Sequence, residues 1–203
     1  MKKVFTFLLL ITCLTIVKAY NNDYFSIEIP EGYNETINDN MYKWSKDNKY
    51  IAVTINNNTN KYNIEKYTDK DLETQKKHLE ETYSKELKEY DVKVDVSDVK
   101  RNTINNYSVL EYNLYWDSKD YIGYNMYQKG IIYTTKNYIY TFIYSSDEEI
   151  NNEEFTSTIN SFKLKDEPIS HISPLLVYIL VVGTLLGIIG FIVDTIRKKK
   201  EHK

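Results

Sequence analysis

The stretch that decides the fold is residues 131–144, which reads IIYTTKNYIYTFIY. β-Branched and aromatic side chains fill both halves, and such residues favour strands. Lys136 and Asn137 separate the halves and favour a tight turn. Two strands joined by so short a turn must be antiparallel, because a parallel pair needs a long crossover connection.

Similar segments lie on either side of this hairpin. Alternating or β-rich stretches predict further strands at residues 24–29, 41–45, 50–55, 92–99, 108–116 and 121–128. Residues 46–49 and 117–120 are polar and predict hairpin turns, and residues 56–61 predict a polar loop. The hairpin therefore belongs to a larger antiparallel sheet.

Two segments have helical spacing instead. The longer one has an apolar stripe made of Leu72, Leu79, Tyr83, Leu87 and Tyr90. Thr68, three residues before Asp71, predicts a capping box at its start. A shorter helix is predicted from Phe155, Ile159 and Phe162, with Asn151 and Glu154 as a cap pair. The predicted fold class is α+β, an antiparallel sheet of about six or seven strands flanked by helices.

The N-terminal residues 1–19 have the three parts of a secretory signal peptide. Lys2 and Lys3 precede the apolar stretch 4–17, and Val17-Lys18-Ala19 predicts cleavage before Tyr20. Cys13, the one cysteine of the chain, allows lipidation as a minor alternative. The mature domain is expected to span residues 20–164 and to contain no disulfide.

Residues 172–193 contain no charged side chain and predict a transmembrane helix of about 33 Å. Residues 165–171 are expected to link it to the domain, and residues 194–203 form a basic tail. The positive-inside rule places that tail in the cytoplasm and the domain outside the cell membrane. Gly183 and Gly187 would let two such helices approach closely and form a homodimer, but the favoured interpretation is that this glycine pair is incidental.

The segment from residue 20 to residue 171 has 27 acidic and 18 basic side chains, a formal charge of −9. An acidic surface repels phosphate backbones, so nucleic acid is not an expected partner. The 20 tyrosines, most of them in this segment, argue against disorder, because disordered segments are poor in aromatic residues.

Two motifs give the chain a family resemblance. Residues 25–33, FSIEIPEGY, open the domain, and the strand 138–144 with the Phe155, Ile159 and Ser161-Phe162 helix closes it. In these motifs and in element order, residues 20–164 resemble PsbP-like (DcrB-like) domains. The resemblance implies an antiparallel sheet flanked by helices. That fold is found in photosystem accessory proteins and in uncharacterised envelope proteins, so it implies little about function.

No residue pattern predicts a catalytic site, a cofactor site or a metal site. His78 is expected to be a solvated residue of the long helix. Asp117 and Asp120 flank a turn but lack the alternating ligands of a calcium loop. The glutamates that could suggest paired acid–base carboxylates lie at a helix start, where they complement the helix dipole: Glu148, Glu149, Glu153 and Glu154.

The tyrosine pattern leaves one binding surface open. Tyr138, Tyr140, Phe142 and Tyr144 share one face of a strand. If that face were exposed it would bind a polypeptide, glycan or lipid. The favoured interpretation is that both faces of the strand are covered.

The sequence therefore predicts a non-enzymatic binding or accessory module, held at the membrane by one span. An unidentified membrane or envelope protein is a possible partner. Two alternatives stay open: an envelope enzyme with a carboxylate-based site, and a sensor subunit that signals through a partner.

Overall fold

The computed structural model describes residues 17–87 and 92–167. Most of the predicted signal peptide, Cys13, Tyr90, the span 172–193 with Gly183 and Gly187, and the tail lie outside these residues. Within the described ranges, no helix combines the length and the apolar character needed to cross a membrane.

A seven-stranded sheet forms the centre of the domain, and every neighbouring pair in it is antiparallel. Its spatial order is β3-β4-β5-β9-β8-β7-β6, for the strands β3 (Asn34–Asn38), β4 (Met41–Lys46), β5 (Lys49–Asn57), β6 (Lys93–Ile104), β7 (Tyr107–Asp117), β8 (Met126–Thr134) and β9 (Tyr138–Ser146). A second sheet has the order β1-β2-β10, made of β1 (Val17–Asn21), β2 (Phe25–Pro30) and β10 (Lys163–Leu164). The α+β prediction with an antiparallel sheet is confirmed.

In the described ranges three α-helices and a short 3-10 helix (Ile64–Lys66) accompany the sheets. The α-helices are α1 (Asp69–Glu86), α2 (Lys119–Ile122) and α3 (Asn152–Ser161). The predicted capping box of α1 is present, with reciprocal hydrogen bonds between Thr68 and Asp71. Those hydrogen bonds from Thr68 lower the pKa of Asp71. At α3, the Asn151 side chain caps the helix by accepting from the backbone N–H groups of Glu153 and Glu154.

Each face of the large sheet has its own hydrophobic core. The α1 face packs the helical stripe onto β6, β7 and β8, and Leu79, Tyr83 and Leu87 are buried in it. The other face packs against β2 and α3, and its buried residues include Phe25, Phe142, Phe155 and Phe162. The small sheet and α3 therefore form a third layer.

The two strands predicted at 121–128 and 131–135 form a single strand, and the predicted start at residue 121 and the break between them are wrong. Residues 119–122 form α2, which ends at Gly123 with φ 88°, and residues 126–134 form one strand through Gly130. The glycine does not mark a turn there. The Tyr112 ring lies over Gly130, where a Cβ would come within 2.0 Å of Tyr112 Cζ.

Three strands have no counterpart in the sequence prediction. β3 is exposed at every residue, including Ile37, so it shows no alternation of apolar and polar positions. β1 falls largely inside the predicted signal peptide, and β10 has only two residues. The predicted polar loop 56–61 begins later than expected, because β5 continues to Asn57.

Gly130→Ala tests the contact with Tyr112. We expect this change to lower the free energy of unfolding by about 1–3 kcal/mol, because the added methyl group overlaps a buried ring. Thermal unfolding of the purified protein measures the effect. In a Tyr112→Ala background the ring is gone, so the same substitution should cost much less. An equal cost in both backgrounds would show that the two residues do not meet.

Leu79→Asp tests the docking of α1 on the sheet. Leu79 is 2% exposed, so an aspartate there buries an unpaired charge and should cost about 3 kcal/mol. The matched control is His78→Ala one residue away, where the side chain is 35% exposed and the cost should be small. Equal shifts in melting temperature for the two variants would contradict the position of the helix.

Candidate functional site

The aromatic face of β9 is not an exposed binding surface. Tyr140, Phe142 and Tyr144 are fully buried, and Tyr138 is half-buried. On the opposite face Ile139, Thr141 and Ile143 are buried too. The interpretation that both faces are covered is confirmed, and the alternative of an exposed aromatic patch on β9 is wrong.

Helix α3 supplies much of that cover. The Phe142 ring lies 5.8 Å from the Phe162 ring and 6.3 Å from the Phe155 ring, measured between centroids. The Tyr144 ring meets Phe155 edge-on at 6.0 Å. These are favourable separations for tilted and edge-to-face aromatic pairs. The aromatic residues of β9 therefore hold the third layer in place.

Glu154 takes part in this packing. It lies in the first turn of α3 as expected, and its Oε1 accepts hydrogen bonds from the hydroxyls of Tyr33 and Tyr144, both at 2.9 Å. Burial is the main cause that raises the pKa of both tyrosines, and the neighbouring carboxylate adds to it. Glu148, Glu149 and Glu153 are exposed. The contact with Tyr33 was not predicted, because Tyr33 lies 121 residues from Glu154 in the sequence.

The other residues weighed for chemistry lie at the surface. Asp117 ends β7 and Asp120 lies in α2, both exposed. Within residues 17–87 and 92–167, no group of three or more His, Cys, Asp or Glu side chains is placed to hold a metal ion. His78 lies on the outer face of α1, with its Nδ1 3.8 Å from Glu81 Oε2.

A cluster of buried polar side chains lies under α1 and was not predicted from the sequence. It consists of Tyr50, Tyr83, Tyr112, Gln128 and Ser145, and we call it the tyrosine–glutamine cluster. Its members come from β5, α1, β7, β8 and β9, and all are buried. The hydroxyls of Tyr50 and Ser145 each donate to Gln128 Oε1 at 3.2 Å. A glutamine among the apolar residues of β8 was the signal that could have pointed to it.

The cluster has hydrogen-bonding atoms left over. Gln128 Nε2 and the hydroxyls of Tyr83 and Tyr112 are buried without a hydrogen-bond partner in the described part of the chain. Burial raises the pKa of all three tyrosines, so their hydroxyls stay protonated. At the edge of the cluster, Lys43 Nζ lies 5.5 Å from the Tyr50 ring centroid, and burial lowers the Lys43 pKa to about 8. Buried polar atoms of this kind commonly hold internal water.

The described chain ends in contact with the domain. Asp166 Oδ2 accepts from Thr135 Oγ1 at 2.6 Å and from the backbone N–H of Asn137 at 3.0 Å, and its Oδ1 accepts from Asn137 Nδ2 at 2.8 Å. The Tyr107 hydroxyl donates to the Asp166 carbonyl at 2.9 Å. Residues 165–167, assigned to the linker by sequence, therefore pack on the turn between β8 and β9.

The predicted cleavage point lies within β1. Val17, Lys18 and Ala19 pair with the end of β2. Tyr20, the expected first residue after cleavage, contacts an aromatic cluster: its ring centroid lies 5.8, 5.8 and 5.1 Å from those of Phe25, Tyr42 and Trp44. A chain that begins at Tyr20 would keep this anchor and lose three residues of β1.

Comparison with known proteins informs the fold alone. The sequence matches no family model and no curated protein. The solution structure of cyanobacterial PsbP (CyanoP) from Synechocystis sp. PCC 6803 is similar with a TM-score of 0.53 and 11% identity, over 75% of this chain and 95% of that one.

Two further solved structures are less similar. A crystal structure from Bacteroides thetaiotaomicron VPI-5482 has a TM-score of 0.43 at 13% identity, over 76% of this chain and 50% of that one. PA94 of Pseudomonas aeruginosa, a protein of unknown function, has a TM-score of 0.32 at 10% identity, over 69% and 86%. The expected resemblance is confirmed by the cyanobacterial protein: this chain has a PsbP-like fold.

Proposed function

We propose that this chain is a membrane-anchored extracytoplasmic protein whose PsbP-like domain is a non-catalytic accessory module. The domain would act by binding or positioning another envelope component. No residue pattern of the domain identifies that envelope component. The PsbP-like fold supports an accessory role by analogy alone, because photosystem accessory proteins also have this fold.

The observation that carries the proposal is the structural use of the carboxylates. Glu154 binds two tyrosine hydroxyls, Asp166 binds the β8–β9 turn, and Asp71 completes a capping box. A carboxylate that works as a general acid or base must reach a substrate proton. These three instead use their oxygens to accept hydrogen bonds within the domain.

The anchoring part of the proposal rests on the sequence of residues 172–203. The uncharged stretch is long enough to span a bilayer, and the basic residues after it favour retention in the cytoplasm. The signal sequence favours the same orientation. We propose that the mature chain begins at Tyr20, whose ring packs against Phe25, Tyr42 and Trp44.

Protease protection tests this topology. An epitope fused after Lys203 should survive protease added to intact cells or protoplasts, while the domain should be digested, because only the domain lies outside. Immunoblotting against the epitope and the domain measures both. Cells opened with detergent serve as the control and should lose both signals. A domain protected in intact protoplasts would contradict the proposal.

A further inference from the structure

One end of the domain is formed by the turns that surround the departing chain, and we call it the basal end. It consists of residues 22–24, 58–63, 105–106, 135–137 and 162–167. Backbone hydrogen bonds run from Asn58 N–H to the Asn137 carbonyl at 2.7 Å and from Lys136 N–H to the Glu167 carbonyl at 3.1 Å. Asn105 Nδ2 donates to the Phe162 carbonyl at 2.9 Å. These contacts join the separate turns into one continuous surface.

The chain leaves this end at a fixed point. Asp166 is bound through both carboxylate oxygens and its carbonyl, so the position of Glu167 is set by the β8–β9 turn. Only residues 168–171 separate Glu167 from the predicted span. An extended chain covers about 3.5 Å per residue, so the basal end lies within about 17 Å of the hydrocarbon core. Part of that distance is the headgroup layer itself.

The charges of the domain are distributed unevenly between its two ends. At the basal end four exposed lysines, Lys61, Lys136, Lys163 and Lys165, outnumber the three acidic residues Asp23, Asp166 and Glu167. The opposite end, where β7 and β9 finish, carries six exposed acidic residues against the three exposed lysines Lys46, Lys93 and Lys119. The acidic residues are Glu31, Asp47, Asp117, Asp120, Glu148 and Glu149. The domain as a whole is acidic, so the basal end differs from its average surface.

We propose that the basal end is a membrane-contact surface whose four lysines meet anionic phospholipid headgroups. Asp166 is the positioning residue that holds the domain in this orientation, with the acidic end directed away from the bilayer. Lysines close to an anionic bilayer are attracted to it within about one Debye length, some 8 Å at physiological salt. The opposite orientation would bring carboxylates towards lipid phosphates. This inference rests on the proposed anchoring and adds the surface and the lipid chemistry.

The test compares the heights of two labels above the bilayer. The mature chain, residues 20–203, contains no cysteine and is reconstituted into vesicles containing phosphatidylcholine and phosphatidylglycerol. A fluorophore is attached at Thr59→Cys, near the basal end, or at Glu149→Cys, at the acidic end; both positions are exposed. Nine-residue strands separate the two ends by about 30 Å. Quenching by lipids that carry a spin label on the headgroup should be severalfold stronger at Thr59→Cys.

Two variants test the parts of the proposal separately. Replacing the four lysines with glutamine should reduce the quenching at Thr59→Cys, as should vesicles of phosphatidylcholine alone. Asp166→Ala should bring the two labels closer to equal quenching, because it frees the exit segment. Glu167→Ala is the matched control, since it removes the neighbouring exposed carboxylate and leaves the bonds of Asp166 to Thr135 and Asn137 in place.

The outcomes separate this inference from the proposed function. A chain that floats with the vesicles but shows equal quenching at both positions would overturn the membrane-contact surface and leave the anchoring intact. Quenching unaffected by the lysine substitutions and by lipid charge would overturn the role of the lysines. A chain that does not float with the vesicles would contradict the anchoring and the contact surface together.

Discussion

The burial of both faces of β9 is the constraint on which the rest of the structure depends. A strand that carries apolar and aromatic side chains on both faces cannot face water on either side without a large cost in free energy. Helix α1 lies over one face of the sheet, and the small sheet with α3 covers the other. The first and last segments of the domain are therefore both needed, since β2 and β10 pair with each other to build the third layer.

The sequence predicts most reliably those turns and helix caps whose interacting residues lie close together along the chain. The turn at Lys136-Asn137 and the caps at Thr68 and Asn151 involve residues a few positions apart, and the structure contains all three. The sequence prediction ended one strand at residue 128 and began another at residue 131, whereas the structure continues one strand through Gly130. A glycine is needed at that position because the ring of Tyr112 from the adjacent strand lies over it, which no local pattern reveals. The exposed strand β3 has no burial pattern to read.

The functional features were harder to predict, because their partners are distant in sequence. Tyr107 and Asp166 are 59 residues apart, and Tyr33 and Glu154 are 121 residues apart. Asp166 lies near the predicted span, so the sequence assigns it to the linker. Its hydrogen bonds with the β8–β9 turn become known only from the structure. Carboxylates hold the layers and the exit segment in place, and under the proposed anchoring the basal end would face the membrane.

Hydrogen–deuterium exchange of the full chain tests the central claim, that two-sided burial of β9 organises the domain. The backbone N–H groups of Tyr138–Ser146 should exchange slowest, together with those of β5 and β8, because they open only when the whole domain unfolds. Those of the exposed edge strand β3 should exchange early. Exchange in β9 as fast as in β3 would contradict the account.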